Sequence, residues 1–255
     1  ILSNDDYPID MSKHVRDPKI FKKNNYYYMV LGGRTSDNQG CVLLYKSKDL
    51  INFEYYNRIE VDDFGYMWEC PDTFKLSDKD VLMFSPQGME AEGYKYNNVY
   101  QCGYAVGNFL NDKKELKLGE FVEIDRGFDF YAPQTFEDSK GRRIVIGWMG
   151  VPDAVEHKNP TINNFWQHQL TIPRELVLKN NKVYQIPVVE LEALRKGDSI
   201  KKEVSLNEAN TLEIFESNTF ELNINFKDCD EFKIELREDC NLSFSNGVFK
   251  LQLGK

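Results

Sequence analysis

Glu69 lies in the run Tyr66-Met-Trp-Glu-Cys-Pro-Asp72, flanked by a Trp and a Cys. Burial beside apolar side chains disfavours the charged form of a carboxyl group, which is the condition a general acid needs near neutral pH. Taken alone it is one acid among 41 acidic residues, and an ordinary surface role competes with a catalytic one. Two further copies of its frame change the balance. Arg16-Asp17-Pro18-Lys-Ile-Phe21, Glu69-Cys70-Pro71-Asp-Thr-Phe74 and Tyr131-Ala132-Pro133-Gln-Thr-Phe136 all read Pro-x-x-Phe. In each, a polar turn and an apolar, aromatic or β-branched run follow, which is a strand, a tight turn and a second strand.

The prolines are separated by 53 (71 − 18) and 62 (133 − 71) residues. Strand-rich repeats of this length suggest propeller blades, with a weaker fourth copy at Pro173-Arg-Glu-Leu-Val-Leu. In a propeller the residues ahead of each proline converge on the central channel. Arg16, Asp17, Glu69 and Tyr131 would meet there: two acids, a base and a phenol, a set suited to a sugar.

The elements that must position them follow in order. Residues 1–15 read as loop. Residues 16–60 hold two hairpins joined at Gly32-Gly33-Arg34, making one blade. Residues 69–126 repeat the plan, with Val99–Val106 as third strand, and 130–180 repeat it less regularly. Pro187–Gly197 has helical spacing, basic residues in its last turn and a terminal Gly. Beyond Glu203 alternation returns at Leu212–Phe215, Phe220–Phe226, Phe232–Arg237, Leu242–Phe244 and Val248–Leu253, as in the half-buried strands of a sandwich. The expected fold is all-β: about three propeller blades over 1–187, a linker helix over 188–202, and the start of a β-sandwich over 203–255.

The whole chain narrows the partners. At 255 residues, the net charge of −9 argues against nucleic acid or an anionic membrane as the main partner. No apolar run reaches the length of a transmembrane helix. Five widely spaced cysteines without Cys-x-x-Cys argue against a disulfide framework or a zinc site, and the three histidines lack metal spacing. The expectation is reduced thiols in a cytoplasm, no metal and no cofactor. Oligomeric state stays open.

These motifs resemble glycoside hydrolase family 32, the invertases, inulinases and sucrose-6-phosphate hydrolases. Arg16-Asp17-Pro18 is similar to the family's Arg-Asp-Pro motif and Trp68-Glu69-Cys70-Pro71-Asp72 to its Glu-Cys motif. Phe130–Phe136, Gly147-Trp148-Met149 and Leu170-Thr-Ile-Pro-Arg-Glu-Leu176 are similar to its later blade motifs. The resemblance implies a five-bladed propeller followed by a β-sandwich. It implies a retaining glycosidase that cleaves β-fructofuranosyl bonds in sucrose 6-phosphate or sucrose. Inulin- or levan-type hydrolases, transferases of the same fold and non-catalytic sugar binding remain alternatives.

Under that resemblance Glu69 is the acid/base, Asp17 holds fructose hydroxyls and supports the transition state, and Arg16 sits at the fructose and keeps Asp17 ionised. Trp68, Tyr131 and Trp148 are candidate substrate contacts, with packing as the competing role of each. Cys70 is a packing neighbour of the site rather than a reactive thiol, and His157, Lys158 and His168 are weak phosphate candidates. The family's nucleophile motif, Asn-Asp-Pro-Asn, does not occur; Asn4-Asp5-Asp6-Tyr7-Pro8 has similar letters without the frame. The expectation is a fragment without its nucleophile and two N-terminal blades, inactive alone.

Overall fold

The computed structural model describes residues 1–109, 117–153, 160–205, 217, 219–237 and 239–254. The chain divides into two compact units, Ile1–Arg195 and Lys196–Lys255.

The first unit contains three antiparallel sheets in chain order. The first joins β1 (Met11–Lys23), β2 (Tyr26–Thr35), β3 (Gly40–Ser47) and β4 (Glu54–Glu60) as nearest neighbours. The second joins β5 (Met67–Leu76), β6 (Lys79–Gln87), β7 (Gly103–Asn108) and β8 (Lys117–Glu123) in the same way. The third is built from β9 (Tyr131–Glu137), β10 (Arg143–Met149), β11 (Gln169–Leu170), β12 (Arg174–Lys179) and β13 (Lys182–Pro187). In it β10 pairs with β9 on one edge and with β11 and β12 on the other. These are three consecutive blades of a propeller.

Several elements differ from the sequence reading. The segment read as loop over 1–15 holds a 3-10 turn at Asn4–Asp6, and β1 already starts at Met11. Leu2, Tyr7 and Met11 of this segment pack on Met29, Leu31, Cys41, Leu43 and Tyr45, and the Tyr45 hydroxyl donates to the Asp6 carbonyl at 2.9 Å. Gly32 and Gly33 lie inside β2 rather than joining hairpins. A Cβ on Gly32 would stand 2.2 Å from the Trp68 carbonyl oxygen, so glycine lets the first two sheets approach. The third strand of the second blade begins at Gly103, four residues later than Val99. The copy at Pro173 is no fourth blade: β12 and β13 complete the third sheet through Arg143↔Leu176 and its neighbours.

The blades stack through the alternation of their strands. Val30, Val42, Leu44 and Ile59 of the first sheet meet Trp68, Leu82 and Phe84 of the second. The opposite face of the second sheet, with Phe74, Val81, Met83 and Tyr104, meets Phe130, Val145 and Leu176 of the third. Neighbouring residues of one strand thus serve different interfaces, as the period of two requires.

The second unit carries a three-stranded antiparallel sheet of β14 (Phe232–Arg237), β15 (Cys240–Ser245) and β16 (Val248–Leu253). Phe226 stacks on Phe232 at 4.0 Å between ring centroids. Phe220–Phe226, expected as a strand, joins no ladder, and the expected strand Leu212–Phe215 lies outside the described residues. The helix expected over 188–202 is a 3-10 segment, Val189–Leu194, in which Val188 makes no side-chain cap. Six residues are too few to offset α-helix nucleation; Glu190 is held instead by Arg142 at 2.8 Å and Lys140 at 2.7 Å.

Candidate active site

Each Pro-x-x-Phe proline sits within its strand, at a break in the ladder. Pairing skips between Arg16 and Lys19, between Glu69 and Asp72, and where Ile146 gives way to Trp148 opposite β9. The residue before each proline, Asp17, Cys70 and Ala132, has φ of 60°, 48° and 48°. A left-handed L-residue costs about 1–2 kcal/mol. The bulge returns two things for it: proline needs no ladder partner there, and the strand re-aims its side chains toward the channel.

The three bulges bring equivalent frame positions together in layers. Two residues before proline are Arg16, Glu69 and Tyr131. Arg16 Nε and Nη2 lie 2.8 and 2.7 Å from Glu69 Oε1, and the Tyr131 hydroxyl donates to Glu69 Oε2 at 2.7 Å. One residue before proline, Asp17 Oδ2 accepts from the Cys70 backbone N–H at 3.0 Å, with the Cys70 Sγ 3.6 Å away. One residue after proline are Lys19, Asp72 and Gln134. Lys19 Nζ donates to Gln134 Oε1 at 3.1 Å and to the Thr135 carbonyl at 2.7 Å, and lies 3.5 Å from Asp72 Oδ2. Asp72, buried, accepts from the Thr135 N–H and hydroxyl at 2.8 and 2.7 Å.

Glu69 is therefore placed otherwise than its flanking residues suggest. Its partners are polar: Arg16, Tyr131 and also Gln87, whose Nε2 donates to Oε2 at 2.9 Å. Its chain neighbours turn away. Trp68 points to the opposite face, fully buried, its ring stacked on Phe84 at 4.2 Å and its Nε1 donating to the Phe64 carbonyl at 2.7 Å. The expectation of Trp68 as a substrate contact is corrected here: side-chain alternation along β5 sends Trp68 into the core where it sends Glu69 to the channel.

Two groups in the site hold their protons firmly. Burial, then the negative charges of Asp17 and Glu69, push the Cys70 thiol up to about 12. Burial, then the charge and hydrogen bond of Glu69, push the Tyr131 phenol well above its ordinary value, so it stays a donor. Beside them, Arg16 Nη1 lies 3.3 Å from His14 Nδ1.

Trp148 is opposite Tyr131 in the β9–β10 ladder, half-buried, with its ring 5.2 Å from that of His168. It lines a cleft of about 410 Å³ with Lys19, Ala132, Gln134, Phe136 and Leu170, not the shell around Glu69. His157 and Lys158 lie outside the described residues. Among the described residues there is no cluster of His, Cys, Asp and Glu that could hold a metal, and no helix long and apolar enough to cross a membrane.

Sequence reasoning missed Lys19, Asp72, Gln134 and Gln87. The first three carry a legible signal, since they occupy the same position after each proline. Gln87 carries none, because it belongs to β6 and reaches Glu69 only through the strand register.

Residues 1–187 match the family described as glycosyl hydrolases family 32, N-terminal domain. The sucrose-6-phosphate hydrolase of Bacillus subtilis is 47% identical over 206 residues, covering 78% of this chain and 42% of that protein. That of Staphylococcus xylosus is 41% identical over 84% of this chain and 43% of its own length. Among solved structures, the β-fructofuranosidase of Bombyx mori superposes with a TM-score of 0.68 at 38% identity, covering 75% of this chain and 41% of that one. The sucrose-6-phosphate hydrolase of Lactobacillus gasseri superposes with a TM-score of 0.67 at 32% identity, covering 74% and 40%. The chain thus spans about two fifths of the length of these relatives. Bulged prolines that gather Arg16, Glu69 and Tyr131, and a family match across all three blades, lead to one assignment: the chain belongs to glycosyl hydrolase family 32.

Proposed function

We propose that residues 1–187 form the acid/base side of a retaining hydrolase that cleaves β-fructofuranosyl bonds, with sucrose 6-phosphate or sucrose as substrate. The observation that carries this reading is the convergence of Arg16, Gln87 and Tyr131 on the Glu69 carboxyl group, with Asp17 held at the next layer by the Cys70 N–H. The relatives named as sucrose-6-phosphate hydrolases support the substrate class.

In this reading Glu69 gives its proton to the glycosidic oxygen as the bond from that oxygen to the anomeric carbon breaks. A second carboxylate, supplied by residues outside this chain, bonds to the anomeric carbon. Glu69, now ionised, takes a proton from water, and the resulting hydroxide displaces that carboxylate, so fructose leaves with its configuration retained. Asp17 accepts hydrogen bonds from fructose hydroxyls and its negative charge favours the oxocarbenium-like transition state. Arg16 orients Glu69 and the ring. The Tyr131 phenol, which keeps its proton, donates to Glu69 in the ionised state.

The test is Glu69→Gln in a chain spanning the full length of the relatives. General acid–base catalysis contributes about 10²–10⁴-fold, so kcat for sucrose is expected to fall by at least about 100-fold while fructose still binds. Unchanged turnover would remove Glu69 from the reaction and the proposal with it.

A further inference from the structure

We infer that Gln87 is a positioning residue for the acid/base, fixing which oxygen of Glu69 exchanges the proton; this rests on the reading of Glu69 given above. β6 is apolar from Val81 to Phe84 and then changes character to Ser85-Pro86-Gln87. In the β5–β6 ladder Glu69 is directly opposite Ser85, and Gln87 is opposite Met67. Gln87 is therefore the diagonal cross-strand neighbour of Glu69 on the same face, within reach of a long side chain. Its backbone is held as well: the Gln87 carbonyl accepts the Tyr66 N–H at 2.9 Å, and Gln87 forms an isolated bridge with Tyr100. The amide reaches the site from an anchored strand end.

The donor set divides the two carboxyl oxygens. Oε1 accepts the Nε–H of Arg16 and lies 2.7 Å from its Nη2, and Arg16 has no acceptor atom. A proton placed on Oε1 would face a guanidinium and compete with that bond. Oε2 is met by the Gln87 amide and the Tyr131 hydroxyl, both neutral and both able to present an acceptor instead: the hydroxyl by turning, the amide by exchanging its nitrogen for its oxygen. The proton of the acid form therefore belongs on Oε2, and Gln87 supports that oxygen in both protonation states. Arg16 from the first blade, Gln87 from the second and Tyr131 from the third fix the plane of the carboxyl group from three directions.

Gln87→Met keeps an unbranched side chain of similar length and removes the amide. In the full-length protein it should lower kcat for sucrose by about 10- to 100-fold, with KM within about twofold, because the lost contact serves proton delivery rather than sugar binding. With a fructosyl fluoride, whose leaving group needs no proton, the first step, read as the pre-steady-state burst of fluoride, should stay within about threefold of the parent rate; the later water step uses Glu69 with either substrate. Equal losses in the first step on both substrates would mean a merely structural role and overturn the inference, as would unchanged sucrose turnover. Glu69→Gln, run alongside, separates the two claims: if it leaves sucrose cleavage intact, the assignment of the acid fails; if it abolishes cleavage while Gln87→Met behaves as the parent, only the role of Gln87 fails. Gln87→Asn, which keeps an amide too short to reach, answers the same question should the Met variant not fold.

Discussion

Arg16, Glu69 and Tyr131 act on one another because each carries a complementary charge or donor, whereas burial and the neighbouring negative charges silence Cys70. Its sulfur is close to Asp17 and next in the chain to Glu69, and burial with those charges holds the thiol at about 12. Thiolate is the reactive form, and at pH 8 a thiol so shifted is almost wholly protonated. Cys70 is therefore expected to resist iodoacetamide in the folded chain at pH 8, while Cys229, which is exposed, is alkylated. Peptide mapping by mass spectrometry checks this, and alkylation of Cys70 at the rate of Cys229 would refute it. A redox or nucleophilic part for Cys70 is thereby disfavoured, in line with a residue that serves the site through its backbone N–H to Asp17.

The strand bulge is the element that builds the site. Three times, a residue before proline takes a left-handed backbone so that the preceding side chain reaches the channel. Asp17 has a side chain that the site uses, and Cys70 holds it through its backbone N–H; Ala132 has neither part, so it isolates the backbone contribution. A β-branched residue suits positive φ poorly, and Ala132→Val is expected to lower stability by roughly 1–2 kcal/mol. Denaturant unfolding of parent and variant measures the difference. A change below about 0.5 kcal/mol would mean that the bulge relaxes freely and does not hold Tyr131 in place. The same element explains why Lys19, Asp72 and Gln134 meet a layer further along: the bulges are equivalent, so equivalent positions stay level across three strands.

At the scale of the whole unit, the stacking of blades decides which residues are catalytic candidates and which are core. Trp68 fills the space between the first two sheets, with Gly40 leaving room for its ring. Trp68→Ala is expected to destabilise the protein by roughly 3–5 kcal/mol, as large-to-small core changes do, with no selective rise in KM. A raised KM at unchanged stability would instead return Trp68 to the sugar. Much of the blade architecture was legible from the Pro-x-x-Phe frame and its spacing, because strands and turns are written in local apolar alternation and in prolines that tolerate no ladder partner. The family motifs and the candidates Asp17, Glu69 and Tyr131 were legible for the same reason, being short and contiguous. What only the tertiary structure decided was contact between distant strands. It joined β12 and β13 to the third blade, turned Trp68 inward, surrounded Glu69 with polar groups and brought Gln87 to it. Register and packing set those outcomes, and both arise from the simultaneous fit of whole sheets, which no single stretch of residues encodes.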